Sequence, residues 1–159
     1  MNIDILCVGK IREKYLKDAV AEYVKRLSRY CKLTITETAD EKTIDDQPEA
    51  LDERVRKLEG ERLLKLIRDD AFVITLEIEG KMLDSVALAD SIREAGIRGI
   101  SRIQFVIGGS LGLSDEVLRR SDMHLSFSKM TFPHQLMRVI LLEQIYRSYR
   151  IINNEPYHK

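Results

Sequence analysis

Ile103-Gln104-Phe105-Val106-Ile107-Gly108-Gly109-Ser110-Leu111-Gly112-Leu113-Ser114 is the stretch on which the fold turns. An apolar, β-branched run is cut by a cluster of glycines and gives way to a polar segment. That order predicts a buried strand over Ile103 to Ile107, a tight loop, and a short helix whose cap is Ser114. A strand that runs through glycines into a helix is the opening half of an α/β unit, in which ligands collect beyond the strand's carboxyl end. Working outward, the same alternation recurs. Upstream, Phe72 to Ile78 is a β-branched strand stopped by Glu79-Gly80, and Asp84 or Ser85 caps a helix running towards Gly96. Downstream, Met123 to Phe127 forms one more short strand, and Pro133, pre-set for a helix's first turn, introduces a long helix from His134 to about Ile152.

The amino-terminal half repeats the theme. Ile3 to Val8 is an apolar run ending at Gly9, and Tyr15, Leu16, Ala19, Val20, Tyr23, Val24 and Leu27 recur at helical steps. Leu33 to Thr38 alternates as a second strand, and Ala39 to Glu49 is an acidic loop. Leu51, Val55, Leu58, Leu64 and Ile67 outline a helix interrupted by Gly60. Strands alternating with helices in this way predict a single α/β domain over residues 1–159, its sheet largely parallel and flanked by helices. Asn153 to Lys159 read as a tail.

Composition narrows the function classes. The chain has 159 residues, 44% apolar and 33% charged, which fits a packed globular domain with solvated helix faces and excludes a disordered tail. Lys plus Arg number 26 and so do Asp plus Glu, so no strongly basic surface is available for a general nucleic-acid clamp. The charge is uneven along the chain: residues 1–32 carry +4, residues 33–118 carry −8, and residues 119–159 carry +4. This places positive charge at both ends and favours an anionic partner there. Cys7 and Cys31 form no metal-binding spacing and read as buried thiols. No run reaches the ~20 apolar residues of a membrane span, and the start lacks the features of a signal peptide, so the expected location is the cytoplasm.

Three segments could carry chemistry. Gly108 to Leu113 leaves backbone donors open to a ligand, yet it is neither GxGxxG nor a P-loop, and a tight turn that needs glycine explains it equally well. Phe127-Ser128-Lys129-Met130-Thr131-Phe132-Pro133-His134-Gln135 gathers aromatic, hydroxyl, lysine and histidine groups between a strand and a helix. Such a loop can wrap an aromatic ligand such as adenine, or can equally be a connection whose Phe residues are core. His134 and Arg138 stand one helical turn apart on one face, where Arg138 could hold a phosphate and His134 could take or steer a proton. The terminal Pro156-Tyr157-His158-Lys159 could close over a site or fray. Nothing supports a Ser-His-Asp hydrolase or a metalloenzyme.

Several of these stretches together carry a resemblance. Ile5 to Lys10, Val73 to Lys81, Phe105 to Ser110, Leu125 to Gln135 and Pro156 to Lys159 resemble, in order and across essentially the whole chain, the bacterial large-subunit ribosomal RNA pseudouridine N3-methyltransferases of the SPOUT superfamily. The resemblance implies a SPOUT-type α/β fold with a C-terminal trefoil knot, an exception to unknotted topology. It also implies a homodimer built partly on the last helix. S-adenosylmethionine is the cofactor it implies, bound by Leu76, Gly108 and Phe127, Ser128, Lys129, Met130, Thr131 and Phe132. The substrate it implies is a pseudouridine in the large-subunit RNA of the assembled ribosome, methylated at N3. His134, Arg138, Tyr157 and His158 are then expected around the target base, the tail supplied in some arrangements by the other subunit. No metal and no membrane are expected. Two other readings stand beside this one: a non-catalytic factor that binds the ribosome, and a generic nucleotide-binding α/β enzyme.

Overall fold

The computed structural model describes residues 1–159. Ten elements alternate along the chain: β1 (Asn2–Val8), α1 (Lys14–Leu27), β2 (Lys32–Thr38), α2 (Glu49–Leu64), β3 (Phe72–Met82), α3 (Ser85–Ile97), β4 (Arg102–Ile107), α4 (Asp115–Arg120), β5 (Met123–Ser126) and α5 (His134–Ile152). The five strands form one sheet in the order β2-β1-β4-β3-β5, and every pairing is parallel. All carboxyl ends therefore open at the same edge, as the sequence pattern predicted.

Both faces of the sheet are covered, so the strands bury apolar side chains on both sides, as expected of a parallel sheet. One face packs against α1, α3 and α5 around Ile3, Ile5, Phe105, Ile74, Leu141 and Ile145. The other packs against α2 and α4 around Leu6, Val8, Val73, Val106, Leu63 and Val117. Cys7 lies in the first of these cores, and burial pushes its thiol up to about 12. Cys31 is half-buried and burial raises it to about 11. Both helix caps read from the sequence are made: Asp84 accepts from the Ala87 amide at 2.7 Å, and the Ser114 hydroxyl accepts from the Val117 amide at 3.4 Å.

Two glycines depart from the punctuation expected of them, each for a steric reason. Gly60 does not interrupt its helix; α2 runs through it, because the position faces Ser114, whose hydroxyl would stand 2.2 Å from an added Cβ. The glycine is a notch that lets α2 and the start of α4 close together. Gly80 does not end β3 either. The strand continues to Met82 with a register shift between Leu76 and Lys81, and an added Cβ at Gly80 would lie 2.7 Å from the Leu125 backbone. Gly80 lets this extension press directly onto β5. Pro133 also sits one position earlier than expected, at the cap of α5 with an extended backbone.

Candidate functional site

A cleft of about 890 Å³ opens beyond the carboxyl ends of β4, β3 and β5. Its walls come from three segments: Leu76, Glu77 and Ile78 in β3, the glycine loop from Ile107 to Leu113, and the stretch from Leu125 through His134, leaving out Lys129. Met137 closes it from α5. A volume of this size, walled by apolar groups with a few polar ones, matches the clefts that hold cofactor-sized molecules.

The glycine loop owes its shape to contacts that exclude side chains. A Cβ at Gly108 would meet the Gly112 backbone at 2.8 Å, so the two limbs of the loop touch there. Gly112 has φ +83°, a conformation that L side chains rarely adopt, and its amide donates to the Gly109 carbonyl at 3.1 Å. Beneath the loop stands Glu59 of α2, 4% exposed. Its Oε2 accepts from the Glu41 amide at 3.0 Å while its Oε1 has no partner, and burial, with Asp40 and Glu41 nearby, raises its pKa.

The facing wall is set by hydroxyls. Ser126 donates to the Ser128 carbonyl at 3.1 Å, and the Ser128 hydroxyl accepts from the Met130 amide at 2.9 Å. This tight turn leaves Met130 74% exposed, an unusual position for a large apolar side chain and one suited to covering a ligand. At the floor, Glu77 accepts from the Thr75 hydroxyl at 2.9 Å and lies 3.0 Å from His124 Nδ1.

Seven of the eight residues expected to bind a cofactor line this cleft: Leu76, Gly108, Phe127, Ser128, Met130, Thr131 and Phe132. Lys129 does not; it is exposed on the outer side of the turn that Ser128 ties. His134 lies at the cleft's edge, its Nε2 beside Gly9, and its pKa is lowered by burial and by the Arg138 guanidinium, against a smaller opposing effect of Asp40. Arg138, one turn on, does not reach the cleft. It is 1% exposed, donating to Glu37 Oε2 at 2.5 Å and to the carbonyls of Val8 and Gly9 at 3.1 and 2.6 Å. It braces the end of β1 against α5 from below. Helical spacing put His134 and Arg138 on one face correctly, but not the depth to which that face sinks.

Tyr157 and His158 lie elsewhere. The Tyr157 hydroxyl donates to Glu143 at 3.0 Å, its ring meets Tyr146 edge-on at 5.1 Å, and His158 Nδ1 is 3.2 Å from Arg147. Arg147 is thirteen residues beyond His134, so within one chain the tail sits about 20 Å along the helix from the cleft edge. The tail is docked on α5 rather than frayed. Sequence reasoning missed Glu77, Ile78 and Met137 as lining residues, and Glu59 beneath the loop. The rule that ligands gather at strand carboxyl ends could have found Glu77; nothing in the local pattern around Glu59 marks it.

An all-parallel sheet with helices on both faces, a glycine loop and a cleft of cofactor size beyond the strand ends defines an α/β protein of the kind whose ligand sites lie at that edge. The chain belongs to the SPOUT methyltransferase family: the family described as "Predicted SPOUT methyltransferase" matches residues 1–158. It is 62% identical over 159 residues, the full length of both chains, to the "Ribosomal RNA large subunit methyltransferase H" of Bifidobacterium adolescentis, and 59% identical, again over both full lengths, to the protein of that name from Clostridium tetani. Among solved structures it is similar to a probable methylase family protein from Haemophilus influenzae, with a TM-score of 0.56, 16% identity, and coverage of 99% of this chain and 70% of that one. A putative methylase family protein from Neisseria gonorrhoeae gives a TM-score of 0.54 at 14% identity, covering 99% of this chain and 85% of that one. These two likenesses speak to the fold alone. No helix is long and apolar enough to cross a membrane, and no group of three or more His, Cys, Asp or Glu side chains is placed to hold a metal ion.

Proposed function

We propose that this methyltransferase transfers a methyl group from S-adenosylmethionine to N3 of a pseudouridine in large-subunit ribosomal RNA, acting on the assembled ribosome as a homodimer in the cytoplasm. The observation that carries the reading is the cleft itself: seven of the residues expected around the cofactor meet there, on the chain's full-length similarity to proteins named as ribosomal RNA methyltransferases. The fit to an adenosyl group rests on the donor set. Gly108, Gly109 and Gly112 bring backbone close without side chains, and Phe127, Met130 and Phe132 supply apolar walls. S-adenosylmethionine, when bound, supplies an electrophilic methyl on a sulfonium.

The chain's residues then have three tasks. The two loops orient the reactants in line and exclude water, which supplies much of the rate in a two-substrate reaction. His134, held neutral near pH 7 by its lowered pKa, can accept the proton that N3 must lose. Arg138 keeps Gly9 and the start of α5 in place beneath His134, and its charge adds to burial in favouring the neutral imidazole. Tyr157 and His158 complete the polar set when the tail comes from a second copy, since the tail of the same chain stays at the far end of α5. The family's trefoil knot belongs to the same reading, which rests here on the chain's membership of that family.

The experiment is transfer of labelled methyl from S-adenosylmethionine to intact ribosomes lacking the modification, beside isolated subunits and naked RNA, with mass mapping of the product. Label on one pseudouridine in intact ribosomes alone is the expected outcome. Cofactor binding without label on any RNA would sink the substrate, and absence of both would favour a non-catalytic ribosome-binding factor.

A further inference from the structure

We infer that the depression beside the cleft edge, lined by Lys10, Arg12, Lys17, Thr38, Ala39 and Asp40, is the docking site for the phosphodiester backbone of the RNA substrate. The inference rests on the reading that the substrate is RNA. The depression measures about 420 Å³, room enough for a phosphate group and its neighbours.

Four observations converge on it. First, Lys10, Arg12 and Lys17 are exposed and none is engaged in an ion pair, whereas Lys14 in the same stretch is tied to Asp18 at 2.7 Å. A protein with no net charge has placed three free cations around one hollow, against a single lining acid, Asp40. Second, the loop that carries Lys10 and Arg12 is held in place rather than loose, and Lys17 follows on α1. The Ile11 amide donates to Glu37 Oε2 at 2.9 Å, the carboxylate oxygen that also receives Arg138, and the Arg12 amide donates to Gln135 on α5 at 3.4 Å. Third, the hollow adjoins the cleft, since a Cβ at Gly9 would stand within 4 Å of both His134 Nε2 at the cleft edge and Asp40 in the hollow. A strand lying in the hollow therefore leads to His134. Fourth, Tyr15, in the first turn of α1 near the hollow though not lining it, is 69% exposed, a ring open to an unpaired base flanking the bound backbone.

Phosphate contacts fix register and orientation without reading sequence. In this site they would hold the RNA strand while the cleft edge meets one base. Local cations of this kind also reconcile RNA binding with zero net charge, because affinity follows the phosphates neutralised at the contact and not the total.

The test uses the full-length protein with Lys10, Arg12 and Lys17 all changed to Ala, beside a control with Arg54, Lys57 and Lys65 changed to Ala, which removes equal charge from the exposed side of α2 and its end. Binding to intact bacterial ribosomes and to a large-subunit RNA hairpin is measured across a salt series, with S-adenosylmethionine affinity and single-turnover transfer measured separately. Expected for the first variant are a loss of about tenfold or more in RNA affinity, a log–log salt slope smaller by about two, and unchanged cofactor affinity. The control keeps the wild-type slope. A first variant whose slope and affinity match wild type overturns the inference, and so does a control that loses as much. Absence of methyl transfer by the wild-type protein would instead count against the RNA-methylation reading, and the salt slope would still report on the hollow.

Discussion

The two ends of α5 hold the two halves of the expected catalytic set, and they are built differently. At the amino end, Arg138 is sealed beneath the cleft with its hydrogen bonds directed to backbone carbonyls and Glu37, and His134 rests above it. At the carboxyl end, Glu143, Arg147, Arg150, Tyr30, Tyr146 and Tyr157 form a half-exposed cluster of ion pairs and ring contacts: Arg147 lies 2.8 Å from Glu143 and over the Tyr157 ring, and Arg150 lies 2.7 Å from Glu155. One end is a fully buried brace; the other is a partly exposed cluster of polar groups and rings. The contrast teaches that polar residues close in sequence pattern can differ in role by depth alone.

The largest effect should come from the buried brace. Arg138→Ala leaves the Val8 and Gly9 carbonyls without its guanidinium, while Glu37, 35% exposed, keeps the Ile11 amide as a donor; leaving buried carbonyls unpaired costs ~1–3 kcal/mol each, for a loss of about 2–4 kcal/mol. Urea denaturation checks this, and Arg138→Lys should restore only part, because an ammonium cannot reproduce the guanidinium fork. A loss below about 1 kcal/mol would erase the difference between the two ends.

Removal of residues 156–159 should act the other way round. It forfeits the Tyr157 ring contact and the tail's half-exposed polar contacts with Glu143, Arg147 and Arg150, about 1–3 kcal/mol, yet under the proposed reading it lowers single-turnover transfer by about a hundredfold or more. Mixing the shortened chain with His134→Ala should recover part of the activity if one copy's tail serves the other's cleft. No recovery would place the tail's contribution within its own chain.

The smallest effect concerns pH. The imidazole of His134 is held below its usual value of 6.5, so between the lowered value and 6.5 the unfolded chain binds more protons than the folded one. Stability therefore rises with pH through that window, and the penalty is complete below it. His134→Gln should flatten the stability profile in the window just below pH 6.5, measured by thermal melts at fixed ionic strength. An unchanged profile would mean that the imidazole is solvated rather than buried near the Arg138 charge.

The strands and helices were legible because each carries its own period: the β-branched runs at Ile3, Phe72 and Ile103 and the helical steps from Tyr15 to Leu27 are local signals. The cleft loops were legible as places where glycine and hydroxyl residues interrupt those periods, and resemblance to a known family sharpened them to residues. What could not be read is what depends on three-dimensional neighbours. Gly60 and Gly80 read as breaks, since the sequence around them does not contain Ser114 or Leu125. Arg138 read as a cleft residue because periodicity reports direction around a helix and not distance below a surface. The tail read as frayed because the ring it packs on, Tyr146, lies on a separate element.

The strand order has a consequence for how the chain comes together. β4 lies between β1 and β3, so Asn2 pairs with Arg102 and Phe72 with Ile103, contacts that close loops of very different length on one strand. Until β4 has been synthesised, β1 with β2 and the separate β3 are two fragments with nothing to join them. β5 and α5, which finish the cleft, come later still. Such a chain has few local contacts to reward early steps, so it should fold slowly, as one cooperative unit, and only after nearly all of it has left the ribosome.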